Sequence, residues 1–223
     1  MLDLPVNCSA PCYQFRKKPD PIDWRIVVED DYLDVESCEY LFNYFTNGWI
    51  NEDGESEAHE FDWLPWTFCN VVCDHEADIM PTLKSNWQLS HMFYRDADEK
   101  DPDHESHYSY LMQDLVDKIY PDYLYKIKAN LNPYQGEEII THGFHIDFAK
   151  PGFTSILYLN DCNGKTILKT PDNMVEIESK RGRMITFDNR IQHTGTTSTD
   201  TRVRAVINLN YYIHDESKVY GRV

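Results

Sequence analysis

The second half of the chain contains a succession of short strand-like segments separated by turn residues, and this pattern limits its possible folds severely. The segments that we predict as strands are 125–132, 143–148, 154–160, 166–170, 174–177, 184–187 and 203–213. Turn-forming sequences lie between several of them, namely NPYQG, AKPG, NDCNGK and SKRGR. Several strands of this length, punctuated in this way, predict a sandwich or barrel of antiparallel strands.

The first half is mixed in character. Residues 34–47 and 106–120 have the apolar spacing of amphipathic helices, and residues 22–28 and 87–94 are predicted strands. We find no internal repeat and no linker, so we predict a single domain over 1–223. In this scheme 1–124 form a support region with two helices, and 125–213 form the core. The predicted fold class is mainly β (α+β), a double-stranded β-helix (jelly roll) whose amino-terminal helices support the sheet.

Charge and length narrow the classes of partner. The 223 residues can bury a sizeable core, and 41% hydrophobic content favours a folded protein. The net charge is −17, and affinity for a nucleic-acid backbone comes largely from Lys and Arg. The composition therefore argues against nucleic acid as the main partner, whereas a basic peptide, a small molecule or a nucleic acid held by a local basic patch remains compatible with it.

Cysteine usage and apolar runs indicate the compartment. The six cysteines include two C-x-x-x-C pairs, but no further Cys or His cluster completes a zinc site. Reduced thiols in an intracellular protein are the favoured interpretation. The start of the chain lacks the pattern of a signal peptide, and no apolar run approaches the ~18 residues of a membrane span. We therefore expect a soluble, cytoplasmic protein that does not enter a membrane.

The segment THGFHID, residues 141–147, places two candidate metal ligands one residue apart, His145 and Asp147. On an extended strand, side chains at i and i+2 point to the same face. A third candidate, His193, follows 46 residues after Asp147, just beyond a predicted strand. Two histidines and one carboxylate on one side of a metal are the ligand set of non-haem iron(II) oxygenases. The sequence thus predicts an iron site at His145, Asp147 and His193.

Six fragments together carry a family resemblance: HGFHIDF, TSILYLND, GKT, KRGRMITFDN, QHTGTT and RAVINLNYY. In content and order they are similar to the prolyl-4-hydroxylase-like branch of the 2-oxoglutarate- and Fe(II)-dependent oxygenases. The resemblance covers about residues 125–213 and not the first half. Such proteins also occur in bacteriophage genomes, in which case the compartment is the host cytoplasm.

The resemblance assigns further residues. It implies that His145, Asp147 and His193 bind Fe(II), and that Arg204 binds the distal carboxylate of 2-oxoglutarate, with Arg202 as a competitor on the same strand face. Guanidinium suits that task because it pairs with carboxylate bidentately and keeps its charge. The cosubstrate positions that it implies in addition are Tyr158 and Asn132, and Thr154 is a further candidate because it lies four residues before Tyr158 on the same strand face. Asn208 and Asn210 share the strand face of Arg204 and are candidate supporting groups.

The activity implied by the resemblance is a dioxygenase reaction. Fe(II), 2-oxoglutarate and O2 hydroxylate a C–H bond of a substrate, and succinate and CO2 are released. A peptidyl substrate, above all a prolyl residue, is implied by the branch, and a free amino acid, another small metabolite or a nucleobase stays open. Two alternatives from other classes are a non-catalytic, cupin-like β-sandwich binding module and an acidic interaction protein. The sequence does not fix the oligomeric state.

Overall fold

The structure is a computed structural model that describes residues 1–4, 21–46, 63–72, 86–97, 103–147 and 151–221. These residues form eleven strands, three α-helices and one short 3-10 helix. The strands are β1 (Ile26–Glu29), β2 (Thr67–Cys69), β3 (Gln88–Arg95), β4 (His104–Glu105), β5 (Tyr123–Pro133), β6 (Phe153–Tyr158), β7 (Cys162–Lys169), β8 (Met174–Ser179), β9 (Met184–Asp188), β10 (His193–Gly195) and β11 (Val203–Tyr212). The helices are α1 (Val35–Thr46), the 3-10 helix (Ser109–Met112), α2 (Gln113–Ile119) and α3 (Ser217–Tyr220).

Two antiparallel sheets make up the fold. The large sheet has the strand order β1-β9-β6-β11-β5-β3-β2, with β4 pairing β3, and the small sheet has the order β10-β7-β8. Side chains from both sheets pack together between them, including Ile156 and Val206 from the large sheet and Leu168 from the small one. This is the mainly β, double-stranded β-helix architecture that the sequence predicts.

The two faces of the large sheet carry different chemistry. On β5, Ile127 and Ala129 are fully buried in the main apolar core, together with residues of α1 and α2. The alternating residues on β5, Lys128, Asn130 and Asn132, line a cavity between the two sheets instead. Successive side chains of a strand point to opposite faces, so one strand serves both the core and the cavity. β11 repeats this division.

Both predicted helices are present with shifted ends. The helix predicted at 34–47 is α1, Val35–Thr46, and the Asp34 carboxylate accepts a hydrogen bond from the Ser37 backbone N–H at 2.8 Å, as expected of a residue that caps a helix start. Residues 47 and 48, where we predict its end, lie outside the described residues. The helix predicted at 106–120 begins instead with the 3-10 turn and ends before Tyr120, whose φ is +51°.

The prediction of a regular strand at 143–148 is wrong within the described part of that range, which ends at 147. Only single residues of this segment pair with the small sheet: Thr141 bridges Thr196, and His145 bridges His193. The His145 and His193 backbones exchange two N–H···O bonds of 3.0 Å each. Isolated bridges do not make a ladder, so the backbone here is irregular. His193 itself begins the short strand β10, which the sequence pattern misses.

The amino-terminal part of the chain also contributes strands to the large sheet. β1 pairs with β9, and β3 pairs with β5, so strands from 1–124 lie on both sides of those from 125–213. The strand predicted at 22–28 starts later, at Ile26, where its pairing with Phe187 of β9 begins. The division of the chain at 124 and 125, like the single domain, stays a prediction.

Two expectations from composition concern cysteines and membranes. Cys38, Cys69 and Cys162 form no disulfide, and Cys8, Cys12 and Cys73 lie outside the described residues. Among the residues described, no helix is both long enough and apolar enough to span a membrane.

Candidate metal and cosubstrate site

The structure brings together the three predicted metal ligands. His145, Asp147 and His193 each offer one ligand atom, and these atoms all lie within 4.8 Å of one another. Asp147 stands between the two imidazoles: its Oδ1 is 3.7 Å from His145 Nε2, and its Oδ2 is 3.5 Å from His193 Nε2. The bridge between His145 and His193 therefore replaces the regular strand as the element that positions this group.

Backbone carbonyls orient both imidazole rings. Nδ1 of His145 lies 3.3 Å from the Gly143 carbonyl oxygen, and Nδ1 of His193 lies 3.2 Å from the Ile191 carbonyl oxygen. A carbonyl can only accept, so Nδ1 carries the proton in each ring and the lone pair of Nε2 points at Asp147. In metal-binding histidines, a hydrogen bond from the ring nitrogen that does not bind the metal fixes the tautomer in this way.

The protonation states of the ligands also suit a metal. Burial, together with the neighbouring His193, lowers the pKa of His145 to about 4, so its imidazole is neutral at physiological pH. Burial by itself raises the pKa of Asp147, but Lys126 and the two imidazoles outweigh it and hold that pKa well below its ordinary value. The Lys126 ammonium is 3.8 Å from Asp147 Oδ1. Metal binding requires neutral imidazole and ionised carboxylate.

Two ligand atoms lack a hydrogen-bond partner within the described part of the chain. They are Asp147 Oδ2 and His193 Nε2, and both are buried. A buried polar atom left unsatisfied costs about 1–3 kcal/mol. A divalent cation between the three side chains satisfies both atoms at once, so the residues present fit such an ion.

A cavity connects this cluster with Arg204. Its space, counted with the opening to solvent, is about 480 Å³, and both His145 and His193 line it. Arg204 is 4% exposed and lines the same cavity.

Polar groups from the small sheet hold the Arg204 guanidinium in place. Its Nε donates to Ser179 Oγ at 2.8 Å, and one terminal nitrogen donates to Thr166 Oγ1 at 3.0 Å. The Tyr158 hydroxyl donates to the same Thr166 oxygen at 2.7 Å, and the guanidinium carbon is 5.5 Å from the Tyr158 ring centre. No carboxylate pairs with this cation among the described residues that line the cavity, so Arg204 is available to an anionic ligand.

Arg202 lies elsewhere. It is exposed and borders a surface depression beside Pro133 and Tyr134. The Arg202 carbonyl accepts a hydrogen bond from the Tyr134 backbone N–H at 2.8 Å. Arg202 also precedes β11, so the regular strand face that we predict it to share with Arg204 does not extend to it. Of the two arginines, Arg204 is the one in the cavity.

The remaining predicted positions divide in the same way. Asn132 and Asn208 line the cavity, and the Asn132 amide donates to Gln88 Oε1 at 3.4 Å. Thr154 is fully buried but does not line the cavity. Its hydroxyl donates to Asn189 at 2.9 Å and accepts from Asn210 at 2.8 Å. The structure therefore places Thr154 and Asn210 in a polar cluster away from the other predicted residues.

Several polar cavity residues are absent from the sequence prediction, among them His142, Lys128, Asn130 and Gln88. His142 is 3% exposed, and neither ring nitrogen has a hydrogen bond to any residue that the structure describes. Burial and the nearby Arg204 lower its pKa to about 4. A signal for two of these residues exists in the sequence, because polar residues alternate at 128, 130 and 132 within an otherwise apolar strand. For His142 and Gln88 we find no such signal.

Comparison with known proteins yields structural matches only. No family model matches the sequence, and no curated protein matches it. A solved oxidoreductase of the 2OG-Fe(II) oxygenase family from Burkholderia pseudomallei matches with a TM-score of 0.56 and 11% identity, over 85% of each chain. A prolyl-4-hydroxylase from Pseudomonas putida matches with a TM-score of 0.49 and 13% identity, over 84% of this chain and 92% of that chain. A Trichoplax adhaerens prolyl hydroxylase, solved with a hypoxia inducible factor peptide fragment, matches with a TM-score of 0.49 and 15% identity, over 89% of this chain and 87% of that chain.

The Burkholderia match confirms the fold that the sequence resemblance implies. This chain has the jelly-roll fold of a 2OG-Fe(II) oxygenase structure, with the large sheet on the helix side and the small sheet across the cavity.

Proposed function

We propose that this protein is an Fe(II)- and 2-oxoglutarate-dependent dioxygenase that hydroxylates a C–H bond of a peptidyl or small-molecule substrate. The proposal rests on one observation: a single cavity connects the three-residue metal-ligand cluster with a buried arginine whose guanidinium is held in place. A metal-ligand cluster or a buried arginine by itself is compatible with many kinds of protein. Their combination matches the needs of a metal ion and a diacid that bind side by side.

His145, Asp147 and His193 are the residues that would hold the iron. They would supply two imidazole nitrogens and one carboxylate, and would leave the remaining coordination positions of the ion to small ligands. When bound, Fe(II) and 2-oxoglutarate supply the oxidising power: O2 is consumed, 2-oxoglutarate becomes succinate and CO2, and the substrate C–H becomes C–OH. The protein side chains need to transfer no proton for this purpose, and Asp147 and His145 stay in the states that bind metal.

Arg204 is the residue that would bind the distal carboxylate of 2-oxoglutarate. Ser179 and Thr166 hold its fork in a fixed orientation, and charge-assisted bonds to a carboxylate are strong in a site shielded from water. Tyr158 shares the Thr166 hydroxyl at this end, but its buried side chain does not itself line the cavity. Asn132 pairs directly with Arg204 across β5 and β11, which supports its assignment to this end as well.

Apolar side chains separate the two ends and limit the water between them. Ile156 and Val206 line the cavity and are each 4% exposed. Restricting water favours a productive arrangement of substrate and cosubstrate, and it strengthens each polar contact in the cavity.

The non-catalytic alternatives account for fewer of these features. A cupin-like binding module or an acidic interaction protein does not require unsatisfied acceptors on Asp147 and His193, nor an available guanidinium in the same cavity. Among the described residues we find no observation that specifically favours either alternative.

An anaerobic titration tests the proposal. Metal-free protein receives Fe(II) and then 2-oxoglutarate, and visible absorption is followed for the charge-transfer band of the chelate. We expect a saturable band in the wild type and in His214→Ala, which alters an exposed histidine, and none in His193→Ala. A folded wild-type protein that shows no band would falsify the proposal.

A further inference from the structure

The cavity contains a second cation, Lys128, at the end away from Arg204. Lys128 lies directly opposite Asn208 in the pairing of β5 with β11, whereas Arg204 lies opposite Asn132. The two cationic residues are therefore four residues apart along the paired strands, or about 13 Å between backbones at ~3.3 Å per residue. We expect a five-carbon diacid to bind Arg204 with one carboxylate and the metal with the other, which would leave Lys128 to a further anionic group.

Lys128 also lacks a partner in the part of the chain that the structure describes. There its ammonium forms no hydrogen bond and no ion pair, although burial lowers its pKa. Asp147, the nearest carboxylate, is paired with Lys126, which lies 3.8 Å from its Oδ1 and also donates to its backbone carbonyl at 3.5 Å. Lys128 is half-buried and Asp147 attracts it without forming an ion pair, so an anionic ligand at this point gains affinity.

Two unsatisfied amides lie beside Lys128. Asn130, two residues along β5, is 6% exposed, and Asn208 is 7% exposed. Both line the cavity, and neither Oδ1 accepts a hydrogen bond from any described residue. These two amide oxygens favour a ligand with N–H or O–H donors. A buried oxygen that accepts no hydrogen bond has lost its bonds to water and gained none in return.

The charge of the cavity differs in sign from that of the chain. The chain has a net charge of −17, yet the described residues that line the cavity include Lys128 and Arg204 and no Asp or Glu. Two cationic side chains favour two anionic groups on the ligands. The cosubstrate supplies one of them, the distal carboxylate that would bind Arg204. The second is expected on the substrate.

We propose that Lys128, Asn130 and Asn208 form the substrate subsite, and that the substrate is a small polar carboxylic acid of the free amino acid type. The carboxylate binds the Lys128 ammonium, and N–H or O–H groups of the substrate donate to the Asn130 and Asn208 oxygens. This inference rests on the proposed function and deepens it. A prolyl residue inside a peptide fits less well because it has neither a free carboxylate nor a backbone N–H.

Calorimetric titration tests the subsite without turnover. The protein is loaded with Zn²⁺, which is redox-inert, and with 2-oxoglutarate, and it is then titrated with the free protein amino acids and with the carboxamide of each. We expect at least one acid to bind saturably and its carboxamide to bind at least about tenfold more weakly. Lys128→Met should weaken the acid by a similar factor and leave the carboxamide and 2-oxoglutarate within about twofold.

Two further variants complete the design. Asn208→Ala should weaken both the acid and its carboxamide, because it removes a contact that does not depend on the carboxylate. Lys165→Met is the matched control, since Lys165 is a lysine on the small sheet that pairs with Glu176 at 2.8 Å outside the cavity. It should bind the acid as the wild type does.

Several outcomes would overturn the subsite. They are binding of a blocked prolyl peptide but of no free amino acid, equal binding of acid and carboxamide, no binding by any acid, and loss of 2-oxoglutarate affinity in Lys128→Met. The last result would assign Lys128 to the cosubstrate. Failure of Zn²⁺ and 2-oxoglutarate to bind at all would instead contradict the proposed function, and it is detected before any amino acid is added.

Discussion

Arg204 and Arg202 are two residues apart in the sequence, yet they lie in different surroundings. Arg204 is buried, and two hydroxyl groups hold its guanidinium, whereas Arg202 is exposed outside β11. Gly164 on β7 makes room for Arg204, because a Cβ at that position would approach Arg204 Cδ to 2.7 Å. The local sequence on two strands thus shapes the site around one of the two arginines.

This difference leads to a matched pair of substitutions. Arg204→Lys should weaken 2-oxoglutarate binding by at least about tenfold, since lysine cannot reproduce the bidentate fork. Arg202→Lys should leave the affinity unchanged. Both variants should bind Fe(II) as the wild type does, and calorimetry with metal-loaded protein measures the affinities. An unchanged affinity in Arg204→Lys together with a loss in Arg202→Lys would show that the cosubstrate lies elsewhere.

At the scale of elements, β5 separates core residues from cavity residues by strict alternation. Ile127 is fully buried against the helices, and its neighbour Lys128 faces the cavity. Ile127→Ala should lower the free energy of unfolding by about 2–5 kcal/mol, as expected for a large-to-small change in a core. Lys128→Met should change it by less than about 1 kcal/mol, because the amine has no hydrogen bond or ion pair to lose among the described residues.

Denaturant unfolding of the metal-free protein measures both changes. Equal destabilisation by the two substitutions would mean that Lys128 has a structural role. It would argue against the proposed substrate subsite and against the division of β5 into core and cavity residues.

The packing of α1 against the core gives a prediction about alkaline pH. Cys38 of α1 is fully buried, and burial raises the pKa of its thiol to about 11. In the unfolded chain a thiol ionises near pH ~8.5, so between that pH and 11 only the unfolded state loses the proton. Stability should therefore be unaffected by this group below pH ~8.5 and should fall above it, by about 3–3.5 kcal/mol in total.

Cys38→Ala isolates this contribution. The variant should be less stable at neutral pH, but its free energy of unfolding should decline less steeply than that of the wild type as the pH rises toward 11. Parallel declines in the two proteins would show that the thiol ionises in the folded state at its ordinary pKa.

The elements also show where sequence reasoning succeeds. Strand-length segments between turn residues identify β5, β6, β9 and β11, which are buried along most of their length, and apolar spacing identifies α1, which buries one side. It fails for 143–147, where backbone pairing with β10 is limited to single residues. Pairing between distant segments has no local signature, and the same reason explains why β10 is missed.

The metal site could be predicted from the sequence, whereas the proposed substrate subsite could not. His145, Asp147 and His193 are recognisable because their side-chain types and order match a family, and the structure brings them together. The polar alternation at 128, 130 and 132 is visible in the sequence, but only the fold shows that Lys128, Asn130 and His142 face one cavity, where polar atoms of Asn130 and His142 are left unsatisfied by the described residues. Burial and missing partners are properties of the tertiary structure, so the sequence alone does not reveal them.

At the scale of the whole molecule, ligands should stabilise the fold. A ligand that binds only the folded state at 100 times its Kd adds about 2.7 kcal/mol. For a chain of this size, each kcal/mol raises Tm by about 2–4 °C. We expect Fe(II) and 2-oxoglutarate, added in turn without oxygen, to raise Tm in two steps. Arg204→Lys should retain the first step and reduce the second, and identical shifts in both proteins would contradict this expectation.

The most direct measurement is a crystal structure of the protein grown without oxygen in the presence of Fe(II) and 2-oxoglutarate. We expect iron bound by His145 Nε2, Asp147 and His193 Nε2, with the distal carboxylate of 2-oxoglutarate on the Arg204 guanidinium. Lys128 should remain without a cosubstrate contact. Iron at another position, or 2-oxoglutarate bound outside the cavity that joins these residues, would contradict the proposal that one cavity serves both ligands.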